Sequence, residues 1–123
     1  MASTATVGIN VVISDPDTGL TVQGIGSYLA SLPAGVAVTD MILTADTEKQ
    51  ALPFPNGVST AAVAFVKAVG GSGGCTDLTV QVATAAGSTV LTVPVNAAQV
   101  FYGVSALYVS SVLGGKIQYS VGG

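Results

Sequence analysis

Apolar and polar residues alternate along much of this chain with a period of two. Leu78, Val80 and Val82 fall on one side of the alternation, Thr79 and Gln81 on the other. Leu107 and Val109 alternate with Tyr108 and Ser110, and Ile117, Tyr119 and Val121 with Lys116, Gln118 and Ser120. An extended backbone points successive side chains to opposite faces, so this period marks half-buried strands. The abundance of Val and Thr agrees with it.

Strands read between turn signals form a regular series. Gly8–Ser14 and Leu20–Gly24 flank Asp15-Pro16-Asp17-Thr18-Gly19, a turn in which Pro presets φ and Gly accepts a positive one. Gly26–Leu32 reads as one helical turn or an irregular connection, ended by Pro33-Ala34-Gly35. Val36–Ala45 reads as a strand, open to a split near Asp40, and Gln50–Leu52 as a short one. Ala61–Val69 and Asp77–Thr84 follow, joined by the hairpin loop Gly70–Gly74. Then come Thr89–Val95, Gln99–Gly103, Ala106–Ser111 and Lys116–Gly122, with Gly114-Gly115 as the last turn. The series predicts an all-β fold, an antiparallel β-sandwich or jelly-roll-like domain over residues 36–123. Residues 1–35 alternate less regularly and are expected to form an N-terminal arm or hairpin used for attachment.

Composition changes this picture in one respect. Charged residues are 7% of the 123, against about 25% in ordinary soluble domains. No charge at all falls between Asp77 and Lys116. A membrane helix needs about 20 predominantly apolar residues. That run is interrupted by Ser, Thr, Pro, Asn, Gln and Gly, and it alternates at strand spacing. With a net charge of −3 and only Lys49, Lys67 and Lys116 positive, there is no basic surface for nucleic acid or anionic lipid. MASTATVGIN lacks the basic and continuous apolar regions of a signal peptide, so synthesis in the cytoplasm is expected.

Candidate chemistry is sparse. There is no His, and Cys75 is the single cysteine, so the usual nucleophile–base pairs cannot be assembled. No enzymatic activity is expected, and no cofactor or metal. Asp46 and Glu48 are the natural carboxylate pair, but Asp46-Thr47-Glu48-Lys49 reads as a solvated turn. Asp15-Pro16-Asp17-Thr18-Gly19 has the opening of a calcium loop without its glycine at the sixth position or its acid at the twelfth, so a turn is favoured. Gly70–Gly74 lacks the Lys-Ser or Lys-Thr of a phosphate loop. Cys75 has no basic neighbour in sequence to activate it. Tyr28, Tyr102, Tyr108, Tyr119, Phe54, Phe65 and Phe101 fill a core or an interface, or else line a ligand groove.

A surface so poor in charge promotes association, and uncharged strand edges add to the hazard. The expectation is an obligate homo-oligomer, most simply a trimer or other ring, docked on a larger assembly. Candidates for its interfaces are Ile9, Val11, Val12, Ile13, Tyr28, Leu29, Phe101, Tyr102 and Tyr108.

Across Leu43–Gly123, LTADTEKQALPFPNGVSTAAVAFVKA, TDLTVQV, STVLTVPVNAAQVFYGVSALYVSS and the closing GGKIQYSVGG resemble the small β-sandwich structural proteins of tailed bacteriophage virions. The likeness lies in short Thr/Val/Ala strands, Gly-rich turns and very few charges. It implies a capsid decoration (cement) protein on the virion surface, partnered by its own copies and by the major capsid protein or another virion protein. The alternative is a spike or tail-associated module that recognises a host-surface ligand such as carbohydrate. By analogy with arms that grip the capsid lattice, Met1–Leu32 would be the gripping segment.

Overall fold

The computed structural model describes residues 3–43 and 45–123, with the side chains of residues 37–40, 46 and 47 also outside the description. Nine strands run in chain order: β1 (Ser3–Asp15), β2 (Leu20–Leu32), β3 (Val36–Leu43), β4 (Asp46–Ala51), β5 (Ala61–Ala68), β6 (Leu78–Thr84), β7 (Gly87–Val93), β8 (Ala98–Ser111) and β9 (Gly115–Gly122). The fold is all-β, its ladders are antiparallel, and no described residue is helical. β1 and β2 form a sheet of their own; the other seven strands form a ladder ordered β3-β9-β5-β8-β6-β7, with β4 also on β8.

β8 turns that ladder into a sandwich. Its first half pairs with β5 up to the Ala61–Val104 match, and its second half pairs with β6 and β4. The hand-over falls at Gly103, which has φ 63, beside a register shift between Ala83 and Thr84. A glycine in this left-handed conformation is the usual device for bending a strand at a bulge. One strand thereby serves two layers, where the alternation alone suggests two strands split near residues 103–106. The layers meet over a single core. Ala64, Val66, Ile117 and Val121 come from one side, and Leu78, Val80, Val93, Leu107 and Val109 from the other.

Three local readings of the sequence are corrected here. Gly26–Leu32 is neither a helical turn nor irregular but the second half of β2, paired one-to-one with Ser3–Ile9. Its Gly, Ser, Ala and Leu have little strand preference, and the ladder of β1 decides the outcome. Gly70–Gly74 is not a hairpin loop, because β5 pairs with β8 and β9 while β6 pairs with β7 and β8. It crosses from one layer to the other. Residues 46–49 are strand in β4, not a turn. The Asp46 carboxylate of the proposed acid pair and the Asp40 side chain lie outside the described residues, as do Met1 and Ala2 of the arm.

Asp77 holds the turn between β8 and β9. One carboxylate oxygen accepts the Ser111 hydroxyl, and the other accepts the N–H of Val112 at 2.9 Å and of Leu113 at 3.3 Å. Ser111 Oγ in turn accepts the Gly114 N–H at 2.9 Å. The Ser111 hydroxyl first, with the two backbone donors behind it, holds the Asp77 carboxyl below its ordinary value against an opposing desolvation. A carboxyl depressed in the folded state stabilises the fold above its unfolded pKa of about 3.9 and loses that contribution as pH falls through the lower folded value. Melting temperature should therefore drop in acid below about pH 4. Asp77→Asn keeps one oxygen for the two backbone N–H donors but puts an amide NH2 where the carboxylate accepts the Ser111 hydroxyl, so it should melt lower at neutral pH and lose this part of the acid response. Thermal melts of both chains from neutral pH to strong acid check it, and identical acid responses would remove Asp77 from the account.

Candidate functional site

The surface that stands out is the β1–β2 hairpin. Its strands pair over 13 residues each, from Ser3 opposite Leu32 to Asp15 opposite Leu20. At about 3.4 Å per residue such a ribbon is on the order of 40 Å long. Its tip is a compact turn: Gly19 N–H donates to Asp15 O at 2.9 Å, and Asp17 N–H to Asp15 Oδ1 at 2.9 Å. The Asp17 N–H, with help from Thr18, lowers the Asp15 carboxyl. The acids that suggest a calcium loop therefore act as turn formers.

Register assigns the two faces, because directly opposed residues share a face. One face carries Ala5, Val7, Ile9, Val11 and Ile13 from β1 with Leu20, Val22, Gly24, Gly26, Tyr28, Ala30 and Leu32 from β2. The other carries Thr4, Thr6, Asn10, Ser14, Thr21, Gln23, Ser27 and Ser31, together with Val12, Ile25 and Leu29. Its polar groups serve one another: Gln23 Nε2 donates to Asn10 Oδ1 at 3.1 Å, and Thr21 Oγ1 to Ser14 Oγ at 3.4 Å. The first face is apolar between Ser3, opposite Leu32 at its root, and Asp15, opposite Leu20 at its tip.

Only the root of that apolar face is covered. Ala30 and Leu32 are buried against Val63, with Ala5, Val7, Ala62 and Val100 around them. Backbone bonds from Ala34 and Gly35 to Gly123 O, at 2.8 and 3.2 Å, tie the exit of the hairpin to the end of β9. Tyr28 meets Tyr102 edge to face, with ring centroids 5.0 Å apart, and both rings remain nearly half exposed. Beyond them the same face stands open. Ile9 and Val11 are 49% exposed, Val22 56%, Leu20 61% and Ile13 65%. Between the hairpin and the outer face of the sandwich lies a cleft of about 580 Å³, walled by Thr6–Asn10 and floored by Phe65, Val100 and Tyr102.

The residues singled out in the sequence divide accordingly. Ile9, Val11, Ile13 and Tyr28 share the apolar face, and Tyr102 joins them at its root. Val12 and Leu29 are exposed on the opposite face. Phe101 packs partly buried against the main core, and Tyr108 is half-buried on the other layer, beside a smaller indentation with Leu52 and Phe54. Neither belongs to the hairpin surface. Sequence reasoning missed Leu20 and Val22 as part of it, and Val100 in the cleft floor, while Phe65 stood among the aromatics offered for a core, an interface or a groove. The alternation within Leu20–Gly24 carried the signal for the first two; nothing local carried it for Val100. Cys75 is fully buried in the main core.

Among the described residues no helix is long and apolar enough to cross a membrane. No protein-family model matches the chain, and no curated protein or solved structure is significantly similar to it.

Proposed function

We propose that this chain is a structural virion protein that decorates and stabilises a bacteriophage capsid, docking on the capsid lattice as an oligomer. The observation that carries the reading is the hairpin arm: a long ribbon, uncharged along both strands up to Asp15, whose apolar face continues past its own sandwich into solvent. An isolated two-stranded ribbon is marginally stable in water. Extending one with its apolar face bare is costly for a lone monomer and useful for a subunit that clamps onto neighbours. The virion setting comes from the texture of residues 43–123, and the mechanism is burial of apolar area at many repeated contacts, which multiplies weak docking. No catalytic role is part of the proposal.

Co-sedimentation tests it. The purified chain mixed with capsids of its parent phage assembled without it should pellet at saturable stoichiometry and raise the temperature at which the capsids disrupt. Absence of binding across micromolar concentrations would sink the capsid reading. A second reading, a carbohydrate-recognising spike or tail module, is favoured by one observation. Tyr28 and Tyr102 stand half open beside a cleft that also presents Thr6, Asn10 and Gln99. Binding to host-cell glycans that is lost on Tyr102→Ala, without capsid binding, would establish that reading instead.

A further inference from the structure

We infer that the exposed apolar face of the arm is an interface with a second copy of this chain, in which the Ile9–Val11 ridge of each arm lies in the Gly24–Gly26 channel of the other; this rests on the structural-assembly reading above and names its partner. The shape of the face is the starting point. Ile9 is opposite Gly26 and Val11 opposite Gly24, so at two successive levels β1 carries a branched side chain and β2 carries none. The face is thus a ridge beside a trough of equal length.

Nothing among the described residues accounts for the trough. Neither Gly24 nor Gly26 has a positive φ, and a Cβ built on either meets no atom within 4 Å. Glycine weakens a strand interior and is found there where another backbone or side chain approaches closely. A copy of the same arm supplies the filler, because ridge and trough sit on one face at the same levels and self-complementary surfaces are what two-fold interfaces require.

Area and charge point to the same occupant. The exposed parts of Ile9, Val11, Ile13, Leu20, Val22 and Tyr28 amount to on the order of 600 Å² per copy. Covering all of it on two copies would reach roughly the 1,200 Å² at which specific interfaces begin. Between Ser3 and Ser14 and between Leu20 and Leu32 the shaft has no charge with which to recognise a charged partner; Asp15 marks the tip end of the face, opposite Leu20, and Asp17 lies in the turn beyond. The opposite face mixes the Asn10–Gln23 and Ser14–Thr21 hydrogen bonds with exposed Val12, Ile25 and Leu29, and it has no such continuous apolar ridge.

Size-exclusion chromatography with light scattering on the full chain, at micromolar concentration, tests the inference. The wild type should run as a dimer or a multiple of it. Gly24→Val with Gly26→Val fills the trough, and Val11→Lys charges the ridge. Each should raise the dissociation constant roughly 100-fold or more, the scale of losing a central contact. Circular dichroism and melting of the diluted monomer should be unchanged, since the added valines meet open space and favour strand. Val12→Lys, on the opposite face, should leave the assembly intact. A monomeric wild type, an assembly that survives both disruptive changes, or dissociation by Val12→Lys would overturn the inference. Capsid sedimentation of the same samples separates the two proposals. A monomer that still binds capsids removes this interface and keeps the decoration reading. An oligomer that ignores capsids does the reverse.

Discussion

Gly115→Ala should be the most damaging single-methyl change in the sandwich, lowering stability by about 3 kcal/mol or more. Gly115 has φ 131, a backbone conformation that L side chains rarely adopt. Space is lacking as well. A Cβ there would stand 2.6 Å from the Gly74 carbonyl carbon and 2.8 Å from Cys75 Cα. Both are main-chain atoms, so a rotamer change cannot relieve the contact. They are also fixed from several sides: Lys116 N–H donates to Gly73 O at 2.9 Å, Cys75 N–H to Val69 O at 3.0 Å, and Gly74 bridges Lys116 in parallel. This is where the crossing between layers lies down on the first residues of β9. A domain of ordinary stability has about 5–15 kcal/mol to lose, so melting should fall by on the order of 10 °C. Gly8→Ala, on the other face of the arm, is the matched control, with ordinary backbone and open space, and should change melting little. Equal effects from the two would mean that close packing at Gly115 is not what constrains it.

Leu107→Ala should cost about 2–5 kcal/mol, the range for truncating a buried leucine to leave a cavity. Leu107 is 1% exposed in the second half of β8, opposite Val82 of β6. Its carbonyl accepts the Leu52 N–H at 2.8 Å, so the backbone around it is tied to the segment after β4 and cannot readily collapse into the gap. Leu113, 71% exposed at the next turn, provides the comparison. Leu113→Ala should stay within about 0.5 kcal/mol of the parent chain. Urea unfolding of both variants gives the two numbers directly. A loss under about 1 kcal/mol at Leu107 would mean that the core repacks around the cavity.

The period-two alternation made the sandwich strands legible, because a strand covered on one face and wet on the other must write that pattern into its residues. Val80, Val82, Leu107, Val109, Ile117 and Val121 all point inward as the alternation implies. Two features stayed out of reach for physical reasons. The continuity of β8 depends on Gly103 bending a strand that keeps its ladder, and in sequence such a glycine looks the same as one that ends it. The pairing of β5 with β8 and β9 rather than β6 is a choice among distant partners, to which no local residue commits. The candidate surface was half visible. Ile9, Val11 and Ile13 could be named from their apolarity, but which of them share a face with Tyr28 follows only from the register with β2. Gly24 and Gly26 gain meaning only once Val11 and Ile9 are seen opposite them.

The pairing of β3 and β5 with β9, and of β5 with β8, also sets an order of events during synthesis. The strands of the β1–β2 ribbon pair only with neighbours in sequence, although its root packs later on Val63 and Val100, whereas β3 and β5 find strand partners only once residues 98–122 have left the ribosome. Local pairings form early and distant ones late. For most of translation, then, the nascent chain carries a formed or forming apolar ribbon with no sandwich beneath its root. On polysomes, where several such chains grow side by side, the ribbons are free to meet one another before any body has folded. That is the stage at which apolar surface and open strand edges are most prone to wrong associations, and at which slowing translation or adding a holding chaperone should most improve the yield of folded protein.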